Sequence, residues 1–275
     1  MSRTTNTFTP VAIHGVPRSG TTWIGEIINS SPNTLYHYQP LFSYAHKDYL
    51  TPKSTQGDID TFFTRLKSCN DNFTGQLEQR HKGILPVFQK EQITHIAYKE
   101  VRYHNILANL MAQKHDLKLV TIIRNPLSVI NSWLKAPKEF RADLNWNMLN
   151  EWQYATKKNQ NKPEEYNGFE KWKEASTLFL DLKEAYPDRV HLITYSAYLA
   201  DPIQETKLLF NFLDLSYTGQ TIRFLNESTG QYNVDPYSVY KTQQSDDAWK
   251  QELPNEISEK IQSNLKDTRL EIFLT

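Results

Sequence analysis

The stretch VAIHGVPRSGTTW, Val11 to Trp23, carries an apolar, β-branched run into a loop with glycines at 15 and 20 and hydroxyls at Ser19, Thr21 and Thr22. Gly15 to Thr22 has the spacing of the phosphate-binding fingerprint G-x-x-x-x-G-K-[ST], with Thr21 where the lysine belongs. Glycines let backbone N–H groups close around an anion, and a following helix would present its positive end, so a phosphate is still well served. What is lost is the ammonium that reaches the outer phosphates of a nucleoside triphosphate. Arg18 returns a cation on the near side of the loop, where it suits a shorter anionic chain. Thr21 and Thr22 add donors that need no metal.

A second stretch, LKLVTIIRNPLSVINSWL, runs from Leu117 to Leu134. Its β-branched first half predicts a strand that delivers Arg124 to its carboxyl end, where open α/β sheets bind ligands. Asn125-Pro126 predicts a helix start, and that helix would bring Ser132 back toward Arg124. An arginine and a hydroxyl converging there suit a second, separate phosphate.

These residues need a frame that brings both loops to one edge. Apolar runs of strand length recur at Val11 to Gly15, Ile93 to Val101, Leu117 to Ile123 and Val190 to Thr194. Helical periodicity lies between them. Trp23, Ile24, Ile27 and Ile28 form one apolar face that Ser31-Pro32-Asn33 terminates, Phe169 to Ala185 forms another, and Asp201-Pro202 opens a third from Ile203 to Leu213. The expectation is an α/β, P-loop-containing, three-layer fold with a central parallel sheet flanked by helices, as one domain over residues 1–275. Thr51 to Gly83 is polar and reads as a surface loop or a lid, and Lys157 to Gly168 as a mobile excursion.

Lys plus Arg and Asp plus Glu are equal at 31 each, so no basic field points to a nucleic acid. The single Cys69 excludes an internal disulfide and a multi-cysteine metal site, and it fits a reducing compartment. No stretch approaches the ~20 apolar residues of a membrane span. The expectation is a cytoplasmic protein without a membrane span or a metal. Aromatics at 12% of the chain can furnish a lined acceptor cleft as well as a core.

GVPRSGTTW resembles the 5′-phosphosulfate loop of sulfotransferases that use 3′-phosphoadenosine 5′-phosphosulfate, in the form found in carbohydrate and tyrosylprotein sulfotransferases. Cytosolic members usually have lysine at the place of Arg18. The Arg124-to-Ser132 stretch is similar to the family's 3′-phosphate site. The segment VHLITYSAYLADPIQETKLLFNFLDL is similar to a family segment whose tyrosine lies near adenine, which Tyr195 matches while Ser196 replaces the usual glutamate. YSVYKTQQSDDAW resembles the closing segment, with Lys241 as the residue covering the 3′-phosphate, and Trp23 stands where a ring stacks on adenine. The resemblance implies that Pro17, Arg18, Ser19, Gly20, Thr21, Thr22, Trp23, Arg124, Ser132, Tyr195 and Lys241 bind the cosubstrate and its product, adenosine 3′,5′-bisphosphate.

It also implies in-line sulfuryl transfer to a hydroxyl of a glycan or small molecule, with Arg18 and loop amides stabilising the leaving phosphate. Relatives of this loop type place a basic glutamate where LYHYQPLF has Gln39. An amide orients a hydroxyl but does not take its proton. Candidate substitutes are His37, on the same face as Gln39 if the piece is extended, and Glu100 in YKEVRYH; His46 and His104 are less well placed. Lys99 and Arg102 resemble a K-x-V-R of carbohydrate-sulfating relatives and would orient substrate or pair with carboxylates. Gln39 also admits a catalytically silent nucleotide binder, and a nucleoside-triphosphate kinase is the more distant alternative.

Overall fold

Segments rich in branched and aromatic residues, poor in turn formers, pair as five parallel strands: β1 (Thr9–His14), β2 (Thr34–Tyr38), β3 (His95–Glu100), β4 (Lys118–Ile123) and β5 (Val190–Thr194). The computed structural model that contains them describes residues 8–230, 239–240 and 245–274. Strand order is β2-β3-β1-β4-β5. Val11 lies beside Ala97 and Lys118, and His14 beside Glu100 and Thr121, so three central strands end along one edge.

Side chains alternate between two cores. One face carries Ala12, Ile96, Tyr98 and Leu119 against helices α2 (Gln56–Lys67), α3 (Leu107–Gln113), α4 (Pro126–Leu134) and α5 (Phe169–Ala185). The other carries Val11, Ile13, Ala97 and Val120 against α1 (Thr21–Asn29) and two later helices, Pro202–Leu213 and Gly219–Gly230. The expected three layers are present. None of the described helices is long and apolar enough to cross a membrane.

The connection after β1 runs toward one end of the sheet and the connection after β4 toward the other. Right-handed crossovers in opposite directions put the following helices on opposite faces. Accordingly α1 packs in one core and α4 in the other, and a crevice opens between neighbours β1 and β4 at their carboxyl ends. That is where such sheets bind ligands.

Two expectations are corrected. Thr51 to Gly83 is not simply a surface loop: α2 lies within it, started by a reciprocal Thr55/Asp58 cap, and buries Ile59, Phe62, Phe63 and Leu66 completely. The stretch from Lys157 to Gly168 is pinned by buried Asn159 and Asn167, whose side chains bond each other and nearby backbone, with Tyr166 buried beside them. Strand β2 carries LYHY, expected only as an extended piece.

Phe62→Ala should cost about 3–5 kcal/mol by denaturant unfolding, the usual cost of emptying a packed phenylalanine site. A loss below about 1 kcal/mol, typical of an exposed position, would return α2 to the surface.

Candidate active site

The anion loop is shaped by space that side chains do not fill. A Cβ on Gly15 would lie 2.5 Å from Ser19 Oγ and 3.0 Å from the Ile122 carbonyl. Buried Ser19 donates to the Val16 carbonyl at 2.7 Å and folds the loop back on itself, with Pro17 buried in the same turn. Arg18 and Gly20 both take positive φ, 72° and 92°. Gly20 caps α1 without a side-chain hydrogen bond, so the first-turn N–H groups of Thr21, Thr22 and Trp23 have no partner within the helix. Such a terminus is a cradle for a phosphate or sulfate. A Cβ on Gly20 would strike the Tyr195 ring at 2.5 Å, so Gly20 admits Tyr195 as well as the left-handed turn.

The two anion motifs meet and bond each other. Arg18 Nε donates to Ser132 Oγ at 2.9 Å, and Arg124 Nη1 donates to the Arg18 carbonyl at 2.7 Å. Asn125 caps α4, which orients Ser132 toward the loop. Arg124 lies 4.7 Å from the Tyr195 ring centre, and the Trp172 indole donates to its carbonyl. Trp23 stands edge-on to Tyr195 and Tyr198 and donates to Ser228 Oγ at 3.0 Å. Arg18, Trp23, Arg124, Ser132 and Tyr195 are thereby gathered at one rim. Lys241 lies outside the described residues. Asp246, which sequence reading missed, accepts from Arg124 Nε and Nη2 at 2.5–3.2 Å. Its separation in sequence from both motifs left no local signal.

Strand alternation sorts the proton-handling candidates. Lys99 shares its face with α1, and its buried Nζ lies 3.4 Å from Thr21 Oγ1 and 4.3 Å from the Tyr38 ring centre. Burial depresses its pKa to about 7, against the pull of Glu100. His37 and Glu100 face the other core. The structure does not bring His37 to the loop: it is buried near His46, Leu66 and Asp71, neither ring nitrogen is hydrogen-bonded, and burial lowers its pKa to about 4. Glu100 accepts from the Leu41 N–H at 2.8 Å, its second oxygen has no hydrogen bond, and burial raises its pKa to about 8. His104 is buried against His14 at 3.0 Å, and His46 contacts Cys69 at 3.3 Å.

Gln39 follows β2 with positive φ and accepts from Arg102 Nη1 at 3.0 Å, while Arg102 also pairs with Glu165 at 2.9 Å and stacks on Phe42. Phe42 and Phe73, 44% and 41% exposed, continue from Tyr38 as an aromatic strip that leads from solvent down to Lys99. Among the described residues, no group of three or more His, Cys, Asp or Glu is placed to hold a metal.

A sulfotransferase domain model matches residues 8–269. The chain belongs to the sulfotransferase family. Solved sulfotransferase structures resemble it along nearly its whole length at low identity. The sulfotransferase domain from the curacin biosynthetic pathway is 17% identical, with 94% of this chain and 97% of that chain covered and a TM-score of 0.54. Mouse sulfotransferase SULT7A1, solved with PAP, is 12% identical over 97% of this chain and 88% of that chain, TM-score 0.53. Retinol dehydratase in complex with androsterone and inactive cofactor PAP is 16% identical over 95% and 82%, TM-score 0.53. No curated protein sequence matches significantly.

The buried Glu100 carboxyl makes a stability prediction for this sulfotransferase. Its folded pKa exceeds its unfolded value, so its contribution is complete below about pH 4.5 and is lost as pH rises toward 8. Thermal melts should show Glu100→Gln, which keeps the Leu41 acceptor, gaining on the parent across that window and levelling off above it. A constant difference between pH 5 and 8.5 would mean that Glu100 ionises normally.

Proposed function

We propose that this sulfotransferase moves the sulfuryl group of 3′-phosphoadenosine 5′-phosphosulfate to a hydroxyl of a small molecule or glycan. The observation that carries the reading is the mutual bonding of Arg18, Ser132 and Arg124, which puts two anion-holding motifs on one rim beside Trp23 and Tyr195. The loop from Pro17 to Thr22 would hold the 5′ end, Arg124 and Ser132 the 3′-phosphate with Lys241 as a further candidate, and Trp23 and Tyr195 the adenine. The anhydride supplies an already activated sulfuryl group, so the residues here chiefly align and neutralise.

Arg18 and the α1 amides meet the charge that develops on the leaving phosphate. Lys99 restores, from β3, the cation missing at position 21. The acceptor would enter along the Tyr38–Phe73–Phe42 strip, with Gln39 orienting its hydroxyl, and a flat apolar or sugar face fits that lining. Gln39 in place of a carboxylate supports a second reading, a nucleotide-binding relative without turnover. Transfer of labelled sulfate to any member of a broad hydroxyl panel excludes it. Glu100 remains the carboxyl candidate for the proton, although it faces the core opposite Lys99.

Arg124→Ala should weaken calorimetric binding of adenosine 3′,5′-bisphosphate about a hundredfold, the loss expected for two charge-assisted bonds. Indifference of the parent protein to that nucleotide would end the proposal. Arg18→Ala should lower turnover by about 10²–10³ while affecting nucleotide affinity less, because its charge counts most against the leaving phosphate; near-normal turnover would remove Arg18 from that role. An arriving anion raises the pKa of Lys99 from about 7, so bisphosphate binding at pH 8 should take up a proton. Calorimetry in buffers of different ionisation enthalpy reads that uptake, and Lys99→Met should abolish it; uptake unchanged in the variant would assign the proton elsewhere.

A further inference from the structure

Asp246 lies far in sequence from both anion motifs, and its carboxylate grips the arginine assigned to the 3′-phosphate. The contact is bidentate on the Nε edge of Arg124, with Nε to the two oxygens at 3.2 and 3.0 Å and Nη2 to Oδ1 at 2.5 Å. A guanidinium has five N–H donors. Asp246 engages Nε and one Nη2 donor, and the Arg18 carbonyl engages one on Nη1, so three are committed before any ligand arrives. The pair is nearly dry, with side chains 12% and 16% exposed, and Asp246 keeps the Arg124 charge compensated and raises its pKa.

The segment bearing Asp246 is anchored without its carboxylate. Ser128 Oγ donates to the Asp246 backbone carbonyl at 2.6 Å, Asn131 donates to Glu252 at 2.7 Å, and Lys135 pairs with Glu252 at 2.6 Å. These contacts would keep the backbone against α4 if the carboxylate turned away from Arg124. A phosphate arriving at Arg124 brings up to two negative charges beside a resident carboxylate, and like charges at that range repel strongly in a dry setting.

We propose that Asp246 is the resident counter-ion of the 3′-phosphate subsite: it compensates Arg124 when no nucleotide is bound, yields to the 3′-phosphate, and weakens the hold on the bisphosphate product. The proposal rests on the nucleotide reading above. It makes Asp246 a residue that tunes affinity for the 3′-phosphate specifically, without touching the 5′ end.

Calorimetry with adenosine 3′,5′-bisphosphate and adenosine 5′-monophosphate, on the parent and Asp246→Asn, tests it. The variant should bind the bisphosphate about tenfold tighter, since one charged competitor is removed, and the monophosphate with unchanged affinity. Unchanged or weaker bisphosphate binding would overturn the proposal and leave Asp246 as a prop for Arg124. A shift of equal size for both nucleotides would overturn it too, because the effect would then not belong to the 3′ end. If the parent binds neither nucleotide, the nucleotide site itself fails and this proposal with it. Monophosphate binding and a thermal melt report whether the variant is folded. Asp246→Ala carries the same expectation should the Asn variant not fold.

Discussion

The Arg124 guanidinium and the Arg18 carbonyl form the bond on which the site depends. Arg18 holds a positive φ that an L-residue adopts only when its surroundings require it. The hydrogen bond from Arg124 is such a requirement, because it fixes the loop carbonyl while the Arg18 side chain turns to Ser132. One strand end therefore holds the shape of a loop on the neighbouring strand. Opposite crossovers around β1 and β4 make that neighbourhood possible, since α1 and α4 leave on different faces and both loops are left facing the crevice.

Alternation along β3 is the second organising constraint. Tyr98 and Glu100 face one core and Lys99 the other, so adjacent ionisable residues meet different environments. Burial drives both toward neutrality, Lys99 downward to about 7 and Glu100 upward to about 8. Of the two side chains, that of Lys99 meets the anion loop, through Thr21, while that of Glu100 turns to the Leu41 N–H. A threonine at the fingerprint's lysine position is thus compatible with a cation at the loop, supplied in space by a different strand. What differs from the usual arrangement is direction: the amine enters from the β3 side, next to the aromatic strip of Tyr38, Phe73 and Phe42. Anion loop and aromatic strip are therefore contiguous, and Lys99 is the residue shared by both.

The sequence by itself determined four of the five strands, the loop and the caps, because these depend on near neighbours. Branched apolar runs select extended backbone, Gly20 supplies the left-handed turn, Asn125 and Asp201 accept from the first turns of the helices they precede, and Arg18, Arg124 and Ser132 were legible from type and spacing, while Tyr195 was singled out by family resemblance. Helix α2 was legible in principle, since 59, 62, 63 and 66 follow helical spacing, but the polar residues between them hid it. Tertiary structure alone decided which face each candidate reached. His37 and Gln39 share a face only while the chain stays extended, and the positive φ at Gln39 separates them. It decided also that Lys99 rather than Glu100 meets the loop, and that Asp246 meets Arg124 across more than a hundred residues. Such pairings depend on crossover direction, strand register and packing between distant segments, which short-range patterns do not encode.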